Sequence, residues 1–401
     1  MKIAKICEEL IKPSSPTPHE LRDHKISFID ELIPHSSIPL ILFFKKSEDI
    51  IQSQICNHLK TSLSRTLTQF YPLAGRIKSQ YSIDCNDEGA YYQESQVDAS
   101  LLDIIKNPKS NELVQLTPYN SNGTLSNFQQ LLAIQDLKNM GANKVRKDSI
   151  FVFLSSIFPS RGTIDNTLNV NNMPIRIVAE KLVVKRVVFT TSNIAKMKAK
   201  LINWGYNENA TRVEVVMALL WKCFMVAKGC NSVAIIPVNI RQRIVPPFDE
   251  NSFGNFFLVI SCIASVENEW CSLVGKIKSA IGRIDGNYVE KIHGEDGFEF
   301  VNSNFKQVGK IIMSQGDDFC VLTISSWCKF PIYEANFGWG ESISTIVATL
   351  GIKDNIVLLD SKEFPGGIEA WIVMVDQEMT LFEQDKELQD FTSLDAICDL
   401  N

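Results

Sequence analysis

Short apolar runs alternate along this chain with stretches whose apolar residues recur at helical spacing. Residues 38–44, Ile38-Pro-Leu-Ile-Leu-Phe-Phe44, are bounded by Lys45-Lys46 and read as a buried strand. Over 47–69, Ile50, Ile51, Ile55, Leu59, Leu63 and Leu67 fall one or four apart, which predicts an amphipathic helix capped by Ser47 with Asp49 and stopped by Pro72. Extended pieces follow at 82–85 and 90–92. Residues 160–180 are rich in Asn, Thr and Pro and read as a crossover. Beyond it the pattern predicts a strand at 182–189 and a helix at 191–202 with Ser192 as cap. A second helix at 211–222 opens with Thr211 and Glu214 at the capping-box spacing. Apolar strands recur at 232–238, 256–264, 319–325, 355–359 and 370–375. Strands and helices alternating on both sides of a crossover predict an α/β chain of two domains.

Length agrees, since 401 residues exceed what one hydrophobic core usually serves. The net charge of −6 and the lack of a long basic run exclude a nucleic-acid footprint. Mixed clusters such as Lys144-Val-Arg-Lys147 read as solvated faces. The ten cysteines include no C-x-x-C pair, so zinc-ligand spacing is missing, and their apolar surroundings suit buried free thiols in a reducing compartment. Charged Glu8-Glu9 interrupt any apolar signal core after Met1, and the best apolar stretch, 256–266, is too short for a bilayer. The expectation is a soluble cytoplasmic monomer, in which the sequons at Asn122 and Asn209 carry little weight. G-x-S-x-G, H-E-x-x-H and G-x-x-x-x-G-K-[ST] are absent, which removes the hydrolase-elbow, zinc-protease and P-loop readings.

A series of short motifs runs in order through the chain. Ile11-Lys-Pro-Ser-Ser-Pro-Thr-Pro18 precedes Ile26-Ser-Phe-Ile-Asp30, then Phe70-Tyr-Pro-Leu-Ala-Gly-Arg76 and Ile83-Asp-Cys-Asn-Asp-Glu-Gly89. Thr211-Arg-Val-Glu-Val-Val216, Val238-Asn-Ile-Arg-Gln-Arg243, Pro246-Pro247 and Gly254-Asn255 come next. Ser325-Ser-Trp-Cys328, Asn336-Phe-Gly-Trp-Gly340 and Gly367-Ile-Glu-Ala-Trp371 close the series. In this order the chain resembles the BAHD acyl-CoA-dependent acyltransferases of plants, nearest their alkaloid-acylating branch. The resemblance implies two chloramphenicol-acetyltransferase-like domains, 1–165 and 183–401, joined by a crossover loop at 166–182 around an active-site channel. It implies acyl-CoA as co-substrate rather than a bound cofactor, and a small-molecule alcohol or amine as acceptor. It also implies a general-base histidine in an H-x-x-x-D motif midway through the first domain. A neutral imidazole suits that proton transfer.

That motif is not where the resemblance puts it. Leu131-Leu-Ala-Ile-Gln135 matches the family, but the catalytic strand-to-helix passage is missing near 135–150, and the pattern resumes at Phe151. The five histidines stand at 19, 24, 35, 58 and 293, so no catalytic residue is assigned. His19-Glu-Leu-Arg-Asp23 fits the pattern by letter only, in a segment without a catalytic part in the family. His24 and His35 read as surface or capping residues, His58 as the polar side of its helix, and His293 as a loop residue. The family's aspartate before Phe337-Gly-Trp-Gly340 is replaced by Asn336. The resemblance pairs that aspartate with an arginine of 238–243, so Arg241 or Arg243, if buried, stands to lose a partner at about 3–5 kcal/mol. Gly338 and Gly340 with Trp339 suit a tight, closely packed turn near the CoA channel. Three readings follow: an acyltransferase with impaired turnover, a non-catalytic binder of acyl-CoA, metabolite or partner, and an incomplete splice or gene-model product. The last draws on the cavities and unpaired strand edges that excising a buried strand would leave.

Overall fold

The computed structural model describes residues 1–31, 37–44, 52–79, 82–106, 108–117, 131–139, 149–156, 181–206, 208–245, 247, 254–293, 297–314, 319–347 and 352–392. Outside them lie the proposed caps Ser47 and Asp49, His35, Asn122, the 140–148 stretch, Pro246, Cys398 and all of the crossover up to residue 180.

The strands are β1 (Lys2–Ile11), β2 (Asp23–Lys25), β3 (Ser37–Phe44), β4 (Arg76–Ser79), β5 (Ser82–Asp84), β6 (Ala90–Asp98), β7 (Leu132–Asn139) and β8 (Ser149–Ser156). They continue as β9 (Leu182–Phe189), β10 (Asn231–Asn239), β11 (Phe257–Ala264), β12 (Phe319–Ser326), β13 (Ser344–Val347), β14 (Asn355–Asp360) and β15 (Ile368–Val375). The chain divides into two compact units: Met1–Ile164 with Pro331–Gly351, and Asp165–Phe330 with Ile352–Asn401.

The first unit holds a six-stranded sheet in the order β1-β6-β7-β8-β3-β13, and a small sheet β2-β5-β4. β3 is the strand its apolar run predicts: Ile41, Leu42, Phe43 and Phe44 are all buried. Such a strand needs neighbours on both edges. β8 supplies one, and β13 the other, with Ser344 opposite Phe43 and Val347 opposite Leu40. The expected C-terminal domain 183–401 is therefore interrupted, because Pro331–Gly351 completes the first unit. Helix Gln52–Gln69 lays Ile55, Leu59, Leu63 and Leu67 against Phe44, Tyr92 and Ile134, the face its periodicity predicts. Sequence pattern gives no sign of β1. It is an edge strand with mostly exposed residues and a bulge between Lys5 and Cys7, so no period of two survives.

The sheet also answers the concern about excision. β7 and β8 pair directly, antiparallel, from Leu132 opposite Ser155 to Lys138 opposite Ser149. β7 pairs β6 on its other side, and β8 pairs β3. Each of these two strands thus has both edges paired, and the expected unpaired edge is not found among the described residues.

The second unit is a six-stranded sheet, β11-β10-β12-β14-β15-β9. Alternate residues of all six strands, such as Ala234, Leu322, Ile356 and Ala370, pack on the helices as one core. Helix Arg212–Lys228 is its centre. Val215 to Trp221 are buried without a break, as in a helix covered all round. It starts with the predicted capping box: Thr211 Oγ1 accepts from Glu214 N at 3.2 Å, and Glu214 Oε2 accepts from Thr211 N at 2.7 Å. Helix Thr191–Asn203 is capped by Thr190, not Ser192, because Thr190 Oγ1 accepts from Asn193 N at 3.2 Å.

The cysteine expectation needs one correction. Cys230 and Cys320 form a disulfide, their Cα atoms 6.3 Å apart across neighbouring strands. The other described cysteines are free, and Cys56, Cys85, Cys223, Cys262 and Cys271 are buried.

Replacing the capping threonine, Thr211→Ala, is expected to lower stability by about 1 kcal/mol. Ser192→Ala, one residue past the real cap Thr190, should stay within about 0.5 kcal/mol. Urea unfolding midpoints of the two variants check this.

Candidate functional site

The sequence-derived site residues fall into two places. In the first unit, Asn336 to Gly340 form a turn closed by the isolated bridge Asn336–Glu341. Asn336 Oδ1 accepts from Gly338 N at 2.9 Å and from Gly340 N at 3.2 Å, so its side chain is spent inside its own turn. Gly338 and Gly340 have φ of 100° and 110°, conformations that L side chains rarely adopt. A Cβ at Gly338 would meet only His58 Nε2, at 3.8 Å, and one at Gly340 nothing within 4 Å. The glycines are therefore demanded by backbone conformation and not by the close packing the sequence suggested. Phe337 and Trp339 stack at 5.7 Å, and both meet the Phe44 ring edge-on, at 5.7 and 6.3 Å. These contacts hold the turn against the end of β3.

In the second unit the two arginines work on main-chain oxygens. Arg241 Nη2 donates to Gly254 O at 2.7 Å, and its guanidinium lies 4.9 Å from the Phe256 ring centre. Two separate motifs, 238–243 and Gly254-Asn255, are joined by that one side chain. Arg243 Nη1 donates to Ile281 O at 2.9 Å and to Ile284 O. It thereby satisfies carbonyls at the C-terminal end of helix Trp270–Gly282, where a cation is favoured. Burial lowers both guanidinium pKa values from the usual range. Neither charge is stranded by asparagine at 336, because each is matched by carbonyls of its own unit.

The helix end held by Arg243 forms a wall of a cavity of about 720 Å³ within the second unit. Six consecutive residues of β11, Leu258 to Ile263, line it. Side chains alternate faces along a strand, so six in a row means that the cavity runs along the strand's free edge. β11 is the terminal strand of its sheet. The opposite walls come from helices Trp270–Gly282, Gly286–His293 and Gly297–Ser314, through Ala280, Tyr288, Val301, Asn304 and Gln307, and from Ile284 between the first two. Lys276 and Arg283, seven residues apart, stand exposed on its rim. No acidic residue lines it among the described residues, and no ion pair to either cation is found there. Tyr288 Oη accepts from Asn304 Nδ2 at 2.7 Å, and burial pushes the phenol pKa up. Burial also pushes the Cys262 thiol up to about 11, which leaves it a poor nucleophile. The groove combines apolar walls, a terminal sheet strand unpaired on its outer side among the described residues, and two cations. It is equipped to bind an extended anion and holds no general base.

Nor do the described histidines supply one. His19 is exposed in a single turn, and Asp23, four residues on, is committed to Lys25 at 2.6 Å and Lys78 at 3.3 Å. His24 is half-buried, edge-on to Tyr71 at 6.1 Å, and burial lowers its pKa against the pull of Asp30. His58 is exposed on its helix, 6.2 Å from the Trp339 ring centre. His293 ends helix Gly286–His293 and is not a loop residue. Among the described residues no His, Cys, Asp and Glu cluster suits a metal ion, and no helix is long and apolar enough to cross a membrane.

Comparison with known proteins gives this architecture a lineage. The Transferase family model matches residues 1–136 and 166–389. Limonoid 1-O-acetyltransferase of Citrus sinensis is 33% identical over 99% of this chain and 99% of its own length. Stemmadenine O-acetyltransferase of Catharanthus roseus is 30% identical over 95% and 96%. The crystal structure of vinorine synthase superposes with a TM-score of 0.76 at 26% identity, covering 98% of this chain and 99% of that one. The chain belongs to the BAHD acyltransferase family. Its two-unit α/β fold is the family's, and members of the family take acyl-CoA as co-substrate. The groove along β11 went unread in the sequence of this BAHD protein. Its walls are contributed by segments tens of residues apart, and only the i, i+7 pair Lys276 and Arg283 is a local signal.

Two outcomes follow for the motifs. Arg243→Met removes a charged donor from two main-chain acceptors and should cost about 1.5–3 kcal/mol in equilibrium unfolding. Gly338→Ala should cost about 1–2 kcal/mol through its positive φ, whereas Asn336→Asp, which keeps the acceptor oxygen, should leave the unfolding midpoint unchanged.

Proposed function

We propose that this BAHD protein binds an acyl-CoA along the β11 groove and passes its acyl group, an acetyl group, to a hydroxyl of a plant specialised metabolite such as an alkaloid. The observation that carries this reading is the groove, cationic at its rim and apolar along its length, on a chain that keeps the family's motifs almost from end to end. Lys276 and Arg283 would meet the donor's phosphates, and the free edge of β11 would meet its amide-bearing arm. Relatives named as O-acetyltransferases of limonoids and of stemmadenine support the acetyl donor and the hydroxyl acceptor. A cytosolic monomer fits this reading.

Turnover is slow on this reading, since no histidine lies between residues 58 and 293. Losing a general base costs on the order of 10²–10⁴ in rate, while holding donor and acceptor together retains the contribution of proximity. The missing base favours a second reading, a non-catalytic acyl-CoA binder with the same groove. The continuous β6-β7-β8-β3 ladder favours a chain that folds at this length over an incomplete product.

Calorimetry with CoA and an assay with radiolabelled acetyl-CoA and polycyclic alcohols separate these readings. The expected result is CoA binding that weakens about tenfold or more in Lys276→Glu/Arg283→Glu and falls with added salt. Acetyl transfer is expected about 10²–10⁴ below that of a histidine-bearing family member. Binding without detectable transfer selects the second reading, and absence of CoA binding by the unsubstituted chain overturns both. Full-length transcripts across the codons for 135–151 decide whether a longer product carrying the H-x-x-x-D passage is also made.

A further inference from the structure

The groove's lining residues run from Ile235 to Gln307, and all lie inside the segment that the Cys230–Cys320 disulfide closes. This bond spans 90 residues of chain and ties two places that matter to the groove. Cys230 follows the left-handed Gly229 that ends the core helix Arg212–Lys228, and it leads directly into β10. Cys320 stands at the start of β12, six residues beyond the end of helix Gly297–Ser314, which supplies Val301, Asn304 and Gln307 to the wall. β12 lies parallel to β10 with Cys320 opposite Ser232, and Ser232 lies opposite Ala264 at the end of β11. The disulfide thus sits beside the last turn of the groove's strand and at the exit of its last helix.

We propose that the Cys230–Cys320 pair is a redox-controlled clamp that holds the β11 groove in its ligand-binding shape when oxidised and loosens it when reduced. As a role for the groove in donor binding, this rests on the function proposed above. Closing is a thiol–disulfide exchange with a low-molecular-weight disulfide of the glutathione type. The two protein thiols give up two electrons and two protons in forming one S–S bond, and the external disulfide leaves as two thiols. Opening is the reverse, with an external thiolate attacking Cys320 Sγ and expelling the Cys230 thiolate. Cys320 is partly buried and Cys230 buried, so Cys320 is the less covered partner for attack. Four of the other thiols are poor reactants: burial pushes Cys85, Cys262 and Cys271 up to about 11, and raises Cys223 as well.

A crosslink across a long loop removes open conformations from the ensemble. Apparent affinity scales with the fraction of chains in the competent conformation. The test equilibrates the full chain in glutathione buffers of increasing oxidising strength, alkylates free thiols and locates the Cys230–Cys320 peptide by mass spectrometry. CoA affinity and amide hydrogen exchange are then measured on the oxidised and the reduced chain, and on Cys230→Ser and Cys320→Ser. The expected result is CoA binding about fivefold or more weaker after reduction, with faster exchange across 258–264 and 297–314, and both serine variants matching the reduced chain in every buffer. Equal CoA affinity and equal exchange in the two redox states overturn the clamp, even where the donor reading stands. If neither state binds CoA, the donor reading fails and exchange alone decides: faster exchange on reduction supports the clamp, and unchanged exchange overturns it. Should a serine variant fail to fold, reduction of the unsubstituted chain gives the same comparison.

Discussion

A strand inside a sheet must pair its main-chain donors and acceptors on both edges, and that constraint governs what this chain can lose and still fold. An unpaired buried amide or carbonyl costs about 1–3 kcal/mol. A strand of eight residues left with a bare inner edge would therefore exhaust the net stability of an ordinary domain. Here β7 and β8 face one another across a seven-pair ladder, and each is paired again on its outer side. The central sheet of the first unit is closed where the family pattern breaks off. β13, which arrives from far along the chain, completes it beyond β3. The fold of the first unit rests on strand pairing, and the chemistry that the family normally places there does not enter it.

The same separation explains which family motifs persist. Asn336 to Gly340 make a turn held by its own asparagine and by three aromatic rings. Arg241 ties the end of β10 to Gly254, and Arg243 holds the carbonyls that end helix Trp270–Gly282. Each acts on backbone geometry, and each would act equally well with or without a proton-transferring histidine. Arg243 reaches furthest toward function. The helix end it steadies carries Ile284 and Arg283 into the groove wall, so Arg243, from outside the lining, fixes where two of the lining groups stand.

The sequence made the elements legible where one period ruled a whole segment. The all-apolar run of β3, the helix face from Ile55 to Leu67, the capping box at Thr211 and the strands of the second sheet were all read near their true limits. It failed where the structure answers to partners distant in sequence. β1 is exposed and bulged, so its pairing with β6 leaves no alternation to read. The switch of 331–351 into the first unit depends on β3's need for a second neighbour. Asn336 looked like a lost charge partner because its local bonds to Gly338 and Gly340 carry no sequence signature. Cys230 and Cys320 stand 90 residues apart, and only the parallel pairing of β10 and β12 makes them adjacent.

What remains is the energetic question of whether a groove without a base amounts to an enzyme. General-base assistance contributes about 10²–10⁴ in rate, equivalent to roughly 3–5 kcal/mol of the barrier. Orientation of two reactants contributes up to about 7–11 kcal/mol. The larger of these contributions does not need the histidine; it needs only that donor and acceptor be held in register. On the proposed reading, Arg243, the edge of β11 and the two rim cations serve to hold the donor. With no histidine between residues 58 and 293 and a groove that would position the donor, the proposed reading is a slow transferase rather than an inert relic. Its remaining rate should depend on whatever fixes the shape of that groove.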